Sequence, residues 1–139
     1  MRCAFGTLFL CFAAHAAVSG PGQALIQAVQ NDAPAAVSEL LAQKVDVNVR
    51  EDDGATPLAW AALRCNRDIA GLLLKAGADP NLRNEQGIGP LYLAITNGSP
   101  AIVKLLLENH ADPNLAREDG ETPLMTASRL GQILSLIHI

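Results

Sequence analysis

Cysteine, histidine and aromatic side chains are scarce in this sequence, and each scarcity removes a class of chemistry. The 139 residues include three cysteines and three histidines, and only 4% are aromatic. Two of the cysteines, Cys3 and Cys11, lie in the opening "MRCAFGTLFLCFAAHAAVS", where one arginine precedes an apolar run and small residues follow. That order is the pattern of a secretory signal peptide spanning residues 1–19, and its apolar core from Ala4 to Ala14 is too short to cross a bilayer. Ala14-His15-Ala16 or Ala17-Val18-Ser19 suits signal peptidase, so the mature chain is expected to begin near Ala17 or Gly20. A lipoprotein anchored through Cys11 is the alternative, although Leu10 stands where a small residue is wanted. Either route implies an exported protein, periplasmic or secreted. Loss of the leader leaves Cys65 alone, which excludes an internal disulfide and makes the exported fold depend on its packed core.

The parts of a catalytic or metal site are missing too. His15 leaves with the leader, His138 lies in the last residues, and spacing gives His110 no partner for a His-Cys or His-Ser-Asp arrangement. There is no C-x-x-C, no H-E-x-x-H, no calcium-loop ligand series and no glycine-rich phosphate loop. No enzyme activity, cofactor, metal or small-molecule substrate is therefore expected. Removal of Arg2 takes the 10 basic and 14 acidic residues to 9 and 14, a mature net charge of −5, which does not suit nucleic acid. "NGS" at Asn97 is formally a glycosylation sequon, relevant only in a eukaryotic secretory source.

What the sequence does have is a period. "GATPLAWAA" from Gly54, "GIGPLYLAI" from Gly87 and "GETPLMTAS" from Gly120 recur at a step of 33 residues, and "VDVN" from Val45, "ADPN" from Ala78 and "ADPN" from Ala111 keep the same step. One further step back from Leu58 reaches Leu25, in a divergent first unit without the Thr-Pro pair, as suits a terminal repeat. Leu58, Ala61 and Ala62, like Leu91, Ala94 and Ile95, follow helical spacing and predict a first short helix. The quartet Ile69, Ala70, Leu73, Leu74 recurs as Ile102, Val103, Leu106, Leu107 and earlier as Ala36, Val37, Leu40, Leu41, predicting a second helix whose rows stack into one core. Pro57, Pro90 and Pro123 open the first helices, with Thr56 and Thr122 as N-caps. Gly98, Gly131 and Gly77 fall where helices end in a left-handed turn, and Cys65, Lys44 and His110 replace glycine there at a cost of about 1 kcal/mol each. Asp79 with Asn81, and Asp112 with Asn114, are read as turn formers bonding local backbone.

With period, Thr-Pro-Leu motif, apolar rows and turns in agreement, "DGATPLAWAALRCNRDIAGLLLKAGADPN" resembles an ankyrin repeat. The resemblance covers about Gly20 to Gln132 and implies an all-α repeat solenoid of paired antiparallel helices joined by β-hairpin loops. Its units are residues 20–52 (degenerate), 53–85, 86–118 and the start of another at 119–133. One departure is that the motif histidine is Ala59, Tyr92 and Met125 here, which should loosen the repeat junctions. The leader together with the absent disulfides is most like bacterial exported ankyrin proteins.

The resemblance also implies noncovalent binding of a protein or peptide on an extended concave face of hairpin tips and first helices. The tips carry Asp52, Asp53 and Ala55, then Glu85, Gln86 and Ile88, then Glu118, Asp119 and Glu121. The helices carry Trp60, Leu63 and Arg64, then Leu93, Thr96 and Asn97, then Thr126, Arg129 and Leu130. Trp60, Arg64 and Arg129 are the expected hot spots, because aromatics and arginines dominate binding energies. Tyr92 is expected at a junction, and His110 at a helix end.

The ending departs from the period. Apolar Ile133, Leu134 and Ile137 occupy positions that are exposed in earlier units, while Ser135 and His138 replace core residues. "LSLIHI" resembles the in-frame translation of a transposase adapter used in library preparation, so residues 134–139 are expected to be an artefact and the natural chain to run on. The alternative is a true short terminus with a hydrophobic cap.

Overall fold

A computed structural model describes residues 20–131. The leader and the adapter-like ending lie outside the described residues. Among the described residues seven helices follow one another: α1 (20–30), α2 (Pro34–Ala42), α3 (Pro57–Leu63), α4 (Arg67–Lys75), α5 (Pro90–Thr96), α6 (Pro100–Glu108) and α7 (Pro123–Arg129). Helices α3, α5 and α7 stack in one row and α2, α4 and α6 in another, with α3 against α4 and α5 against α6 inside the units.

Local chemistry starts and stops these helices. Proline at the first turn opens α2, α3, α5, α6 and α7, where a missing N–H costs nothing. The Thr56 hydroxyl accepts from the Ala59 N–H at 3.2 Å, and Thr122 does the same for Met125 at 3.1 Å. Gly89 leaves α5 without a side-chain cap, whereas Asn66 caps α4 by accepting from Ile69. Each helix then ends in a left-handed residue. After the first helices these are Asp32, Cys65, Gly98 and Gly131, and after the second helices Lys44, Gly77 and His110, with φ between +56° and +97°. The next N–H returns to a helix carbonyl, as from Asn66 to Ala61 and from Ala78 to Leu73, both at 3.0 Å. Cys65, Lys44 and His110 thus hold the strained places expected of them, and Asp32 is a fourth that the sequence reading missed.

Small residues let the two rows close. Ala61, Ala62, Ala70 and Ala94 have no exposed surface, and Leu58, Ile69, Leu73, Ile95, Ile102 and Leu106 fill the space between them. The first unit is thinner, because of its quartet only Val37 is fully buried while Ala36, Leu40 and Leu41 pack at the edge.

The connecting hairpins are tight turns, and there is no β-strand among the described residues. Glu51 donates its N–H to Ala55 O, Asn84 to Ile88 O and Arg117 to Glu121 O, each at 2.9 Å. Gly54 and Gly87 lie so close to the next hairpin that a Cβ would sit 3.1 Å from the Asn84 Cα and 3.0 Å from the Arg117 Cα. Neighbouring units are also tied by side chains. Asp79 and Asp112 each accept from a backbone N–H two residues on, as expected of turn formers, and Asp46 does the same. In addition, Asn48 Oδ1 accepts from the Asp79 N–H at 2.8 Å and Asn81 Oδ1 from Asp112 at 2.7 Å, so the same turns form a ladder between units.

Candidate functional site

The hairpin tips and the exposed sides of α3 and α5 bring five of the expected contact residues around one cleft. Trp60 and Leu63 come from α3, Leu93 from α5, and Asp53 and Ile88 from the two adjoining hairpins, enclosing about 160 Å³. Leu63 is 43% exposed, a large apolar side chain held in water rather than in the core. The backbone positions it: Pro57 and the Thr56 cap fix where α3 begins, which sets the face on which Trp60 and Leu63 project.

Trp60 is anchored by a residue that the sequence reading passed over. Its indole Nε1–H donates to Glu51 Oε2 at 2.5 Å, and Gln30 Nε2 reaches the other oxygen of the same carboxylate at 3.5 Å. With its only donor engaged, the half-buried ring offers the cleft apolar and π surface. Trp60 and Tyr92 are the only aromatic side chains among the described residues. Asp53 is held as firmly: its Oδ1 accepts from the Ala55 N–H at 2.9 Å, and its carbonyl accepts from the Glu85 N–H at 3.0 Å across the two hairpins. Asn84 Oδ1 accepts from both Gln86 and Ile88, leaving its NH₂ available as a donor in the wall of the cleft.

A second, polar recess of about 360 Å³ adjoins the first across Trp60 and Asp53. Its charged lining residues are Glu51, Asp52, Asp53 and Arg50. The ion pairs among the described residues lie elsewhere, so none of these carboxylates has a cation within 4.0 Å.

The remaining expected contact residues are dispersed. Arg64 is exposed at the end of α3 but does not line the cleft. The Thr96 hydroxyl donates to Tyr92 O at 2.8 Å, and Asn97 Nδ2 donates to Leu63 O at 2.9 Å, tying the end of α5 to that of α3. Glu85 lines a separate recess with Arg83 and Glu118. Arg129 and Glu121 are paired with each other at 2.5 Å. Thr126, expected on the exposed face, is instead buried, its hydroxyl donating to Thr122 O at 3.2 Å; a small side chain in the register of Trp60 and Leu93 folds back on its own turn.

Arg117 was also missed. Its guanidinium lies 4.9 Å from the centroid of Tyr92, donates to the Tyr92 hydroxyl at 2.8 Å, and pairs with Asp119 at 3.4 Å and Glu121 at 3.3 Å. Tyr92 is therefore a junction residue, as expected, and the bond lost with the motif histidine is replaced there by an arginine from the next hairpin. No sequence signal marks that pair, because the partners are 25 residues apart in different units.

Among the described residues no group of three or more His, Cys, Asp or Glu side chains is placed to hold a metal ion, and no helix is long and apolar enough to cross a membrane. No curated protein matches the chain. The family model described as ankyrin repeats (3 copies) matches residues 5–84 and 76–138. With nearly the whole length matched and the helix pairs, hairpins and 33-residue register all in place, the chain belongs to the ankyrin-repeat family.

Proposed function

We propose that this chain is a non-enzymatic scaffold that holds another protein or peptide on its concave face, at the junction of the units beginning at residues 53 and 86. Ankyrin repeats are generally protein-protein interaction modules and generally non-catalytic. The observation that carries the reading is the apolar cleft walled by Trp60, Leu63, Ile88 and Leu93, with its tryptophan pinned by Glu51. A half-buried, rigid aromatic beside an exposed leucine is the composition of a binding hot spot. Pairing Trp60→Ala with Leu63→Ser is expected to abolish capture of the partner from an extract of the source cells while helical circular dichroism persists. Undiminished capture overturns the proposed face.

Export belongs to the same proposal, on the strength of the leader pattern in residues 1–19. Protein recovered from the periplasm or medium should begin between Ala17 and Gly20; an intact Met1 in that fraction overturns it.

A second reading makes these repeats the N-terminal arm of a longer protein with a catalytic or other domain downstream. It is favoured by the outer end of α7, where Leu124 is 38% and Met125 56% exposed although their counterparts Leu58, Leu91 and Ala59 are buried. Gly120 matches Gly54 and Gly87 in its backbone, yet nothing lies within 4 Å of its Cβ position. That end has the form of a surface that receives another unit. Reading the locus past the codon for Gln132 with an adapter-free method tests it: further repeats or a new domain support this reading, and the same six codons followed by a stop overturn it.

A further inference from the structure

The two recesses that meet at Trp60 differ in chemistry, and together they specify what would fill them. The smaller is lined by apolar side chains, with Asp53 as its only ionisable residue and the Asn84 NH₂ as a donor at its wall. The larger sets the carboxylates of Glu51, Asp52 and Asp53 against the single guanidinium of Arg50, a local excess of negative charge. Asp53 and Trp60 line both, so a ligand that fills one recess has its adjoining atoms at the other.

Resting on the concave-face reading above, we propose that the site takes an extended segment of a partner protein in which an apolar side chain lies beside a lysine or arginine. The apolar side chain enters between Leu63, Ile88 and Leu93. The cation turns over the Trp60 ring toward Asp52 and Asp53, where ring and carboxylates attract it together. The Asn84 amide donates to a main-chain carbonyl of the segment, which sets its direction. Because the indole N–H is already held by Glu51, Trp60 offers an incoming anion no hydrogen bond, and the carboxylates repel it. Acidic segments are rejected by that combination of repulsion and unmet polar groups.

Peptide-display selection on the immobilised protein, followed by titration of the recovered peptides as fluorophore-labelled probes read by fluorescence anisotropy, tests the proposal, because that readout does not depend on the single tryptophan. Basic-apolar peptides should be recovered. The paired change Asp52→Asn and Asp53→Asn should weaken their binding about tenfold, and added salt should weaken binding to the parent protein as its Debye length falls below about 10 Å. Asn at position 53 keeps the oxygen that accepts from Ala55, so the hairpin is retained and the melting temperature serves as the control. If the recovered peptides are neutral or acidic, depend on Trp60 and ignore the paired change, the charge assignment is overturned and the concave-face reading survives. If none is recovered, or if Trp60→Ala leaves binding intact, both are overturned.

Discussion

The same hairpin occurs at residues 51–55 and at residues 117–121, and the two copies spend their charge differently. In the later copy Arg117 joins Tyr92, Asp119 and Glu121, and Arg129 closes on Glu121, so two of the three carboxylates at the tip are paired from within. In the earlier copy Glu51 engages only neutral partners, Trp60 and Gln30, while Asp52 and Asp53 face solvent without a cation within 4.0 Å. One backbone design thus yields a self-satisfied tip and an unsatisfied one. The first spends its charge on the fold; the second leaves its carboxylates free to attract the partner proposed above.

The sharpest way to break this comparison is through the tip glycines. Gly54 and Gly120 share φ = +85°, so alanine at either costs about 1 kcal/mol of left-handed strain. Only Gly54 also faces a neighbouring backbone, with a Cβ 3.1 Å from the Asn84 Cα and 3.3 Å from the Glu85 nitrogen. Urea denaturation should therefore show Gly54→Ala losing about 2–3 kcal/mol, within the usual cost of overpacking, and Gly120→Ala only about 1 kcal/mol. Equal losses would mean that the hairpins do not nest.

Next in size is Arg117→Ala, which removes a cation–π contact, a hydrogen bond to Tyr92 and two partly exposed ion pairs. A loss of about 1–2 kcal/mol is expected, because the ion pairs are screened and Arg117 Nε is buried without a partner, which subtracts from what the side chain contributes. Arg117→Met should recover part of that loss by keeping the packing on Tyr92. If methionine restores nothing, the polar contacts outweigh the packing.

Smallest of all is Arg129→Ala. Its side chain is 64% exposed and its bond to Glu121 is open to solvent, so the loss should stay below about 1 kcal/mol and fade with salt. Binding on the Trp60 side should be unaffected, which separates the two tips by function as well as by stability.

Most of what backbone need sets was legible in the sequence. The 33-residue step, the prolines with Thr56 and Thr122, and the left-handed places held by Lys44, Cys65 and His110 all follow from what a helix end requires of its residue. Asp32 escaped notice because the first unit has little motif by which to place it. Long side chains that choose partners in another unit were not legible. Glu51 on Trp60, Arg117 on Tyr92 and Asn48 on the Asp79 backbone depend on the offset between stacked units, which the packing of the helices determines. Thr126 failed for the opposite reason: its register put it on the exposed face, but a short hydroxyl side chain satisfies itself on the preceding turn.

The ladder from Asn48 to Asp79 and from Asn81 to Asp112 also bears on how quickly the molecule assembles. No side-chain hydrogen bond among the described residues joins positions more than 34 apart. The segment that must be closed before a contact forms is thus about one unit long wherever it occurs, and loop-closure entropy rises only with the logarithm of that length. Folding can start at any well-packed neighbour pair and spread outward, so the search time is governed by the repeat length and not by the length of the chain.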